Sequence, residues 1–263
     1  MGMAPIKEIN PPVPLTDAAR EEIEALVHRQ KAANGVLMRA INLMGDQLES
    51  GLKVIPATTR AQLDEAAKVA LTYSYQVAEK SRSGRVGRLT TDPRLQKAMA
   101  AVSGALGGVG GLPTALAELP VATTMIFRAV QDVAAQYGED PTSQSTRIEC
   151  LRVFGAGGPD DADDGVDTAF ISARLTISGV AINSLINKIA PRFAAVLGQK
   201  LASQAVPILG AVAGAGTNYA FINYYSEVAH VHFGLRRLAR EFGEEQVTDE
   251  FHRLLHQPKK ISA

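Results

Sequence analysis

Apolar side chains recur along most of the chain at intervals of three and four residues, a spacing that predicts amphipathic helices. The clearest case covers residues 116–137, where apolar positions keep a helical period until Gly138 provides a left-handed stop. No window shows the alternation of apolar and polar residues that is typical of a strand. We therefore predict an all-α fold: a single multi-helix domain of about eight to ten helices, with Gly-rich close-packed helices and no internal repeat.

Short local signals predict where individual helices begin and end. Thr16 or Asp17 can cap the first helix. The Asp92-Pro93 pair favours the start of another, because the carboxylate caps backbone N–H groups and the proline has none to leave unpaired. Gly243 should end the longest helix, and a last short helix is expected from Thr248.

The second helix is expected to begin at a capping box formed by Thr59 and Gln62, with Val77 on its apolar face. Before the first helix, four prolines within residues 4–14 predict an extended segment. We therefore divide the chain into a proline-rich extended arm (residues 1–15), an all-α domain (residues 16–257) and a tail (residues 258–263).

Composition and charge exclude several classes of protein. The chain has 263 residues, of which 46% are hydrophobic and 21% charged, so wholesale disorder is excluded. Its formal net charge is zero, aromatic residues make up only 5%, and there is no Trp. A nucleic-acid-binding role is therefore disfavoured, because it needs an electrostatic attraction to phosphate or a stacking platform.

The single cysteine and the first residues bear on location. Cys150 has no partner for an intrachain disulfide, and we interpret it as an inert, buried core residue. Residues 1–20 carry no signal-peptide pattern. We predict a cytoplasmic protein, with peripheral attachment to a membrane left open. Two uncharged stretches, residues 98–117 and 201–226, have the length of a membrane span, but their small and polar residues favour buried helices.

A basic segment next to glycine-rich sequence gives the first candidate site. Residues 80–97 contain six basic residues and one acid, Asp92. Glycines four apart follow, and such pairs let two helix backbones approach closely, either in a protein core or in a membrane hairpin. The basic residues fit either an anionic lipid surface or a solvated loop. The candidate lipid or membrane contacts are Arg82, Arg85, Arg88, Arg94, Gly104, Gly108 and Gly111.

The sequence contains no complete metal-binding motif. Glu227 and His230 have a spacing that di-iron helix bundles use, but a second such pair is absent. His230 and His232 lie on different sides of a helix, and we expect one to be buried with a hydrogen-bond partner and the other to be exposed. The aspartate-rich residues 160–167 fail the EF-hand template. We predict no metal and no cofactor.

Charged residues in mainly apolar helices form a further group. Glu118 and Arg128 are expected either at the solvent edge or paired, since an unpaired buried charge is costly. No nucleophile elbow, zinc-protease or dinucleotide-binding motif is present, so catalytic residues are unknown.

Two stretches resemble the EcsC family of bacterial proteins. Residues 104–141, GALGGVGGLPTALAELPVATTMIFRAVQDVAAQYGEDP, end in the family's Tyr-Gly-x-Asp-Pro pattern. Residues 206–243, VPILGAVAGAGTNYAFINYYSEVAHVHFGLRRLAREFG, follow its Pro-x-x-Gly-Ala-x-x-Gly-Ala-x-x-Asn-Tyr-x-Phe order. The resemblance implies a cytoplasmic or membrane-associated protein without a settled biochemical activity, in a family whose founding member is encoded beside two components of an ABC transporter. Polar candidates within or beside these motifs are Glu118, Asn218, Asn223, Glu227 and His230.

Our functional hypothesis is a non-enzymatic accessory protein associated with a membrane or a transporter, which contacts anionic lipid through the basic segment and the Gly-rich helices. A hydrolase or small-molecule enzyme with a polar site between helices is the alternative, and a soluble lipid carrier is a third. Convergence of at least three polar candidates such as Glu118, Glu227 and His230 in one pocket would favour the enzyme.

Overall fold

The computed structural model describes residues 13–33, 35, 57–82, 92–109, 112–155, 182–191, 193–194 and 207–257. Within these residues the protein consists of eight helices and has no strand, which confirms the predicted all-α fold. The helices are α1 (residues 17–33), α2 (Ala57–Ser81), α3 (Pro93–Val109), α4 (Leu112–Gln136), α5 (Gln144–Gly155), α6 (residues 182–191), α7 (Pro207–Phe242) and α8 (Glu244–Leu255).

Side-chain caps begin two helices where the sequence predicts them. At the start of α1, Oγ1 of Thr16 accepts a hydrogen bond from the Ala19 N–H at 3.2 Å. At the start of α3, Oδ1 of Asp92 accepts a hydrogen bond from the Arg94 N–H at 2.8 Å, and Pro93 occupies the first helical position. These contacts satisfy backbone donors that have no partner within the helix.

Glycines at positive φ separate helices, as predicted. Gly138 (φ 80°) follows α4, and Gly243 (φ 93°) lies between α7 and α8, in a backbone region that residues with side chains rarely adopt. Two predicted helix starts are wrong. Helix α2 begins before Thr59, and α8 begins directly after Gly243 instead of at Thr248, because two glutamates in its first turn favour a helix N-terminus there.

Helices α4 and α7 form the centre of the fold. Helix α4 packs against α2, α3, α5 and α7, and α7 packs most extensively on α3. The polar contacts show that α3 and α7 run in opposite directions: Asn218 bonds to Ala100, whereas Asn223, further along α7, bonds to Lys97. None of the described helices is long and apolar enough to cross a membrane.

Two apolar clusters hold the helices together. The main cluster contains side chains from each of the helices α2 through α7, among them the fully buried ring of Phe154. A second cluster is formed by α1, the C-terminal half of α7 and α8, with side chains such as Ile23, Leu238 and Phe251. The N-terminal helix is therefore attached to the end of α7 by its own apolar contacts.

Gly234 allows a close approach of α1 and α7. A Cβ atom at Gly234 would lie 2.8 and 2.9 Å from the two Cδ atoms of Leu26, a side chain buried in the second cluster. We expect Gly234→Ala to lower the free energy of unfolding by about 1 kcal/mol, because overpacking outweighs the gain in helix propensity.

Gly216 offers a matched control on the same helix. It is exposed, and a Cβ there would meet no atom of the described chain within 4 Å. Gly216→Ala should raise the free energy of unfolding by about 0.5–1 kcal/mol through helix propensity alone. Urea denaturation of both variants measures the difference, and stabilisation by both would contradict a close approach at Gly234.

Candidate functional site

A cleft of about 120 Å³ opens between the first turns of α3, the C-terminal half of α4 and the middle of α7. We call it the α3/α4/α7 cleft. Four titratable side chains line it, and they come from all three helices: Lys97, Asp132, Glu227 and His230. The sequence alone nominates two of them, Glu227 and His230. Lys97 and Asp132 were not among the candidate site residues.

Asp132 is the point where α2, α3 and α4 are linked. Its Oδ2 accepts hydrogen bonds from Gln96 Nε2 at 2.7 Å and Arg128 Nε at 3.1 Å, and its Oδ1 is bound by Arg82. Arg128 also donates to Ser81 Oγ at 3.1 Å. Arg128 was expected either at the solvent edge or paired, and the structure shows it paired. Two guanidinium groups on one carboxylate leave an excess of positive charge beside the cleft.

Lys97 is a cation held by neutral groups. Its Nζ donates to Asn223 Oδ1 at 2.6 Å and lies 5.8 Å from the centre of the Tyr219 ring, within the range of a cation–π contact. Among the described residues, no carboxylate forms an ion pair with Lys97. The ammonium group has three N–H donors, and Asn223 takes one of them. The nominated Asn223 therefore acts by positioning Lys97.

Glu227 and His230 face the cleft from α7 and are each held by a second helix or turn. Glu227 Oε2 pairs with Arg29 of α1 at 2.8 Å, and Nδ1 of His230 lies 3.3 Å from the Tyr137 hydroxyl. Burial, together with the cation of Arg29, lowers the pKa of His230, so its imidazole is neutral at pH 7. The site thus contains a neutral hydrogen-bonding imidazole.

Glu118 and Asn218 meet each other away from the cleft. Asn218 Nδ2 donates to Glu118 Oε1 at 2.7 Å and to the Ala100 carbonyl at 3.0 Å, and Ser103 Oγ donates to the same carboxylate oxygen at 3.0 Å. Both side chains are buried. Glu118 was expected either at the solvent edge or paired, and the structure shows it paired in a contact that joins α3, α4 and α7. The cleft therefore unites Glu227 and His230 but not Glu118.

The candidate lipid contacts have different surroundings. Arg94 is exposed, Arg82 is engaged with Asp132, and Gly104 is buried within α3. Gly108 lies in α3 as well. Arg85, Arg88 and Gly111 lie outside the described residues, as do residues 160–167. Among these candidates with described surroundings, Arg94 is the side chain available at the surface.

Exposed apolar rows on α2 and α3 are a feature that sequence reasoning missed. On α3, Leu95, Met99 and Val102 are 41%, 43% and 61% exposed, and we call them the α3 ridge. The α2 ridge consists of Val69, Tyr73 and Val77. The placement of Val77 on the buried face of its helix was wrong: that face continues through Tyr75 and Ala78, and Val77 is 54% exposed. The spacing of three or four residues between the apolar residues of each ridge was the sequence signal that could have revealed these rows.

A buried charge cluster lies on the other side of α7. Glu149 receives hydrogen bonds from Arg152 Nη1 at 3.1 Å and Arg236 Nη1 at 3.3 Å, and its Oε2 lies 2.8 Å from His232 Nε2. Burial alone would raise the pKa of Glu149, but the His232 hydrogen bond and the two arginines outweigh it and hold the pKa below its ordinary value. His232 is the buried histidine that the sequence predicts, while His230 is half-buried instead of exposed.

Cys150 lies in the main apolar cluster. Cys150 is fully buried, and burial raises the pKa of its thiol, so the group is protonated at neutral pH. Across the described ranges, no three His, Cys, Asp or Glu side chains are grouped to hold a metal ion.

Comparisons with known proteins give a consistent result. A model of the EcsC protein family matches residues 17–238. A protein of Bacillus subtilis (strain 168), the uncharacterized protein YdbA, is 25% identical over 198 residues, which cover 73% of this chain and 68% of YdbA. No solved structure matches the chain.

Proposed function

The chain belongs to the EcsC family, and we propose that it is a non-enzymatic accessory protein that docks on an anionic membrane surface. The founding member of this family is encoded beside an ABC transporter, and this resemblance suggests that the docking takes place beside a transporter in the membrane. The contact surface would be the α3 ridge with the basic segment that precedes it.

The α3 ridge is the observation that carries this proposal. Single exposed apolar residues are common on protein surfaces, but three on one face of a helix expose a continuous apolar row to water. Helices that lie in a membrane interface have this combination of an apolar face and neighbouring basic side chains. Arg94 is exposed in the first turn of the same helix.

The charge of residues 80–97 supports the same surface. Asp132 binds both Arg82 at the end of α2 and Gln96 near the start of α3, so the segment begins and ends at one end of the helix bundle. Arg82 is bonded to Asp132, whereas Arg94 is exposed in the first turn of α3. Each basic residue near an anionic bilayer contributes about 1 kcal/mol of attraction.

Vesicle flotation tests the proposal. The protein should float with vesicles of phosphatidylcholine and phosphatidylglycerol, and it should stay in the soluble fraction with phosphatidylcholine alone. Raising the salt concentration to about 1 M should release it, because the screening length then falls to about 3 Å. The double variant Met99→Ser/Val102→Ser should bind the anionic vesicles about tenfold more weakly, since two partly exposed apolar side chains no longer enter the interface.

Val13→Ser is the matched control, because Val13 is 55% exposed and precedes α1, where its carbonyl accepts a hydrogen bond from Gln246 of α8. This variant should float like the wild type. Equal loss of binding in both variants, or a wild type that stays soluble with acidic lipid, would refute docking through the α3 ridge.

A further inference from the structure

We propose that the α3/α4/α7 cleft binds a phosphate group, with Lys97 as its principal contact. This site is distinct from the α3 ridge, and the proposal does not require the protein to dock on a membrane. The phosphate could belong to a soluble phosphate ester or to the headgroup of a lipid, and the experiment below separates these sources.

The charge balance around the cleft favours an anion. Both carboxylates that line it already have cationic partners: Asp132 binds Arg82 and Arg128, and Glu227 binds Arg29. A carboxylate that is bonded to arginine repels a second anion less than a free one, because its charge is locally compensated.

Lys97 then adds a charge that no described carboxylate compensates. Its described partners are the amide oxygen of Asn223 and the ring of Tyr219, which fix its position without neutralising it. Lysine is a common phosphate ligand because it offers a compact charge with several donors.

Neutral hydrogen-bonding groups complete the site. The cleft is also lined by the amide side chains of Gln96 and Gln136 and by the neutral imidazole of His230. Gln96 is oriented by its bond to Asp132, and His230 by the Tyr137 hydroxyl. A phosphate has several acceptor oxygens, which can accept hydrogen bonds from Lys97 and from the neutral donors around it. An apolar ligand would leave these donors without acceptors. A volume of about 120 Å³ accommodates a phosphate group but not a lipid acyl chain.

Isothermal titration of inorganic phosphate into the full-length protein tests this site. The wild type should give saturable one-site binding at constant ionic strength. Lys97→Met should bind about tenfold more weakly or not at all, because a charge-assisted hydrogen bond is lost. Lys97→Arg should retain binding, because it keeps the positive charge and its N–H donors. The circular dichroism spectrum of Lys97→Met should match that of the wild type, which excludes misfolding as the cause of its loss.

Lys31→Met provides the matched control. Lys31 is exposed on α1 and donates a hydrogen bond to the Leu254 carbonyl, so its replacement removes the same charge from the protein without changing the cleft. Phosphate binding by this variant should stay within about twofold of the wild type, since exposed charges are well screened. The proposal fails if the wild type shows no saturable phosphate binding or if Lys97→Met binds as the wild type does.

The source of the phosphate is decided by two further titrations. Glycerol 3-phosphate presents the group in solution, and phosphatidic acid vesicles present it at a surface, with phosphatidylglycerol vesicles of equal charge as the reference. A Lys97-dependent preference for phosphatidic acid assigns the site to a headgroup. Lys97-dependent binding of glycerol 3-phosphate without that preference assigns it to a soluble ester. The Met99→Ser/Val102→Ser variant keeps Lys97, so the cleft and the α3 ridge can fail independently.

Discussion

Replacing Glu149 by glutamine is expected to lower the free energy of unfolding by about 3–5 kcal/mol, because it removes the negative charge of a carboxylate that Arg152, Arg236 and His232 share in a buried cluster. The side chain of Arg152 is only 4% exposed and bonds to Glu149, as do Arg236 and His232. The amide of glutamine has one acceptor oxygen where the carboxylate has two, and its NH₂ group would face a guanidinium group. Urea denaturation at pH 7 measures the effect.

The pH dependence of this effect has a defined sign. The pKa of Glu149 is held below its ordinary value of 4.5, so the folded state binds this proton less tightly than the unfolded state. The stabilisation is therefore complete above the unfolded pKa and is lost as the pH falls through the folded pKa. The difference between wild type and Glu149→Gln should shrink as the pH is lowered below about 4.

Glu245 is a control for the loss of a glutamate charge. It is exposed in the first turn of α8, and Glu245→Gln should change the free energy of unfolding by no more than about 0.5 kcal/mol. A Glu149→Gln variant as stable as Glu245→Gln at pH 7 would show that the buried charge cluster does not stabilise the fold.

Phe154→Ala should be similarly destabilising, by about 3–5 kcal/mol, because it opens a cavity in the main apolar cluster. The Phe154 ring is fully buried, and its centre lies 4.2 Å from that of Phe127 and 4.8 Å from that of Tyr225. Phe193 meets it edge-on at 5.4 Å. The ring therefore joins α4, α5 and α7, and its neighbours cannot collapse onto the space without moving helices.

Val121→Ala tests whether burial is the cause. Val121 lies on α4, as Phe127 does, but it is 51% exposed, and its truncation should cost less than about 0.5 kcal/mol. Thermal or urea unfolding of both variants gives the comparison. Similar small losses in the two variants would mean that the aromatic contacts around Phe154 are loosely packed.

Much of the secondary structure could be predicted because its signals are local. Asp92 caps a backbone N–H two residues away, Thr16 caps one three residues away, and Gly138 needs only its own φ angle. Such interactions are encoded by neighbouring residues and hardly depend on the remaining chain. The displaced start of α8 shows the limit, since competing local signals differ little in energy.

The candidate site could be predicted only in part. Glu227 and His230 were found because they lie beside a recognisable motif, and both face the cleft. Lys97 was only one of six basic residues in its segment, and Asp132 had no distinguishing neighbour apart from Arg128 four residues before it. An i,i+4 Arg–Asp pair in an apolar helix was the signal that could have revealed it.

The sequence by itself determined an all-α chain of the EcsC family and several of its helix ends. Only the tertiary structure decided that Arg82 meets Asp132 fifty residues away, and that Glu149 meets His232 across eighty-three. It also decided that the apolar residues of α2 and α3 form exposed ridges. Helical periodicity reports which residues share a face, whereas burial and charge pairing depend on which distant helix covers that face.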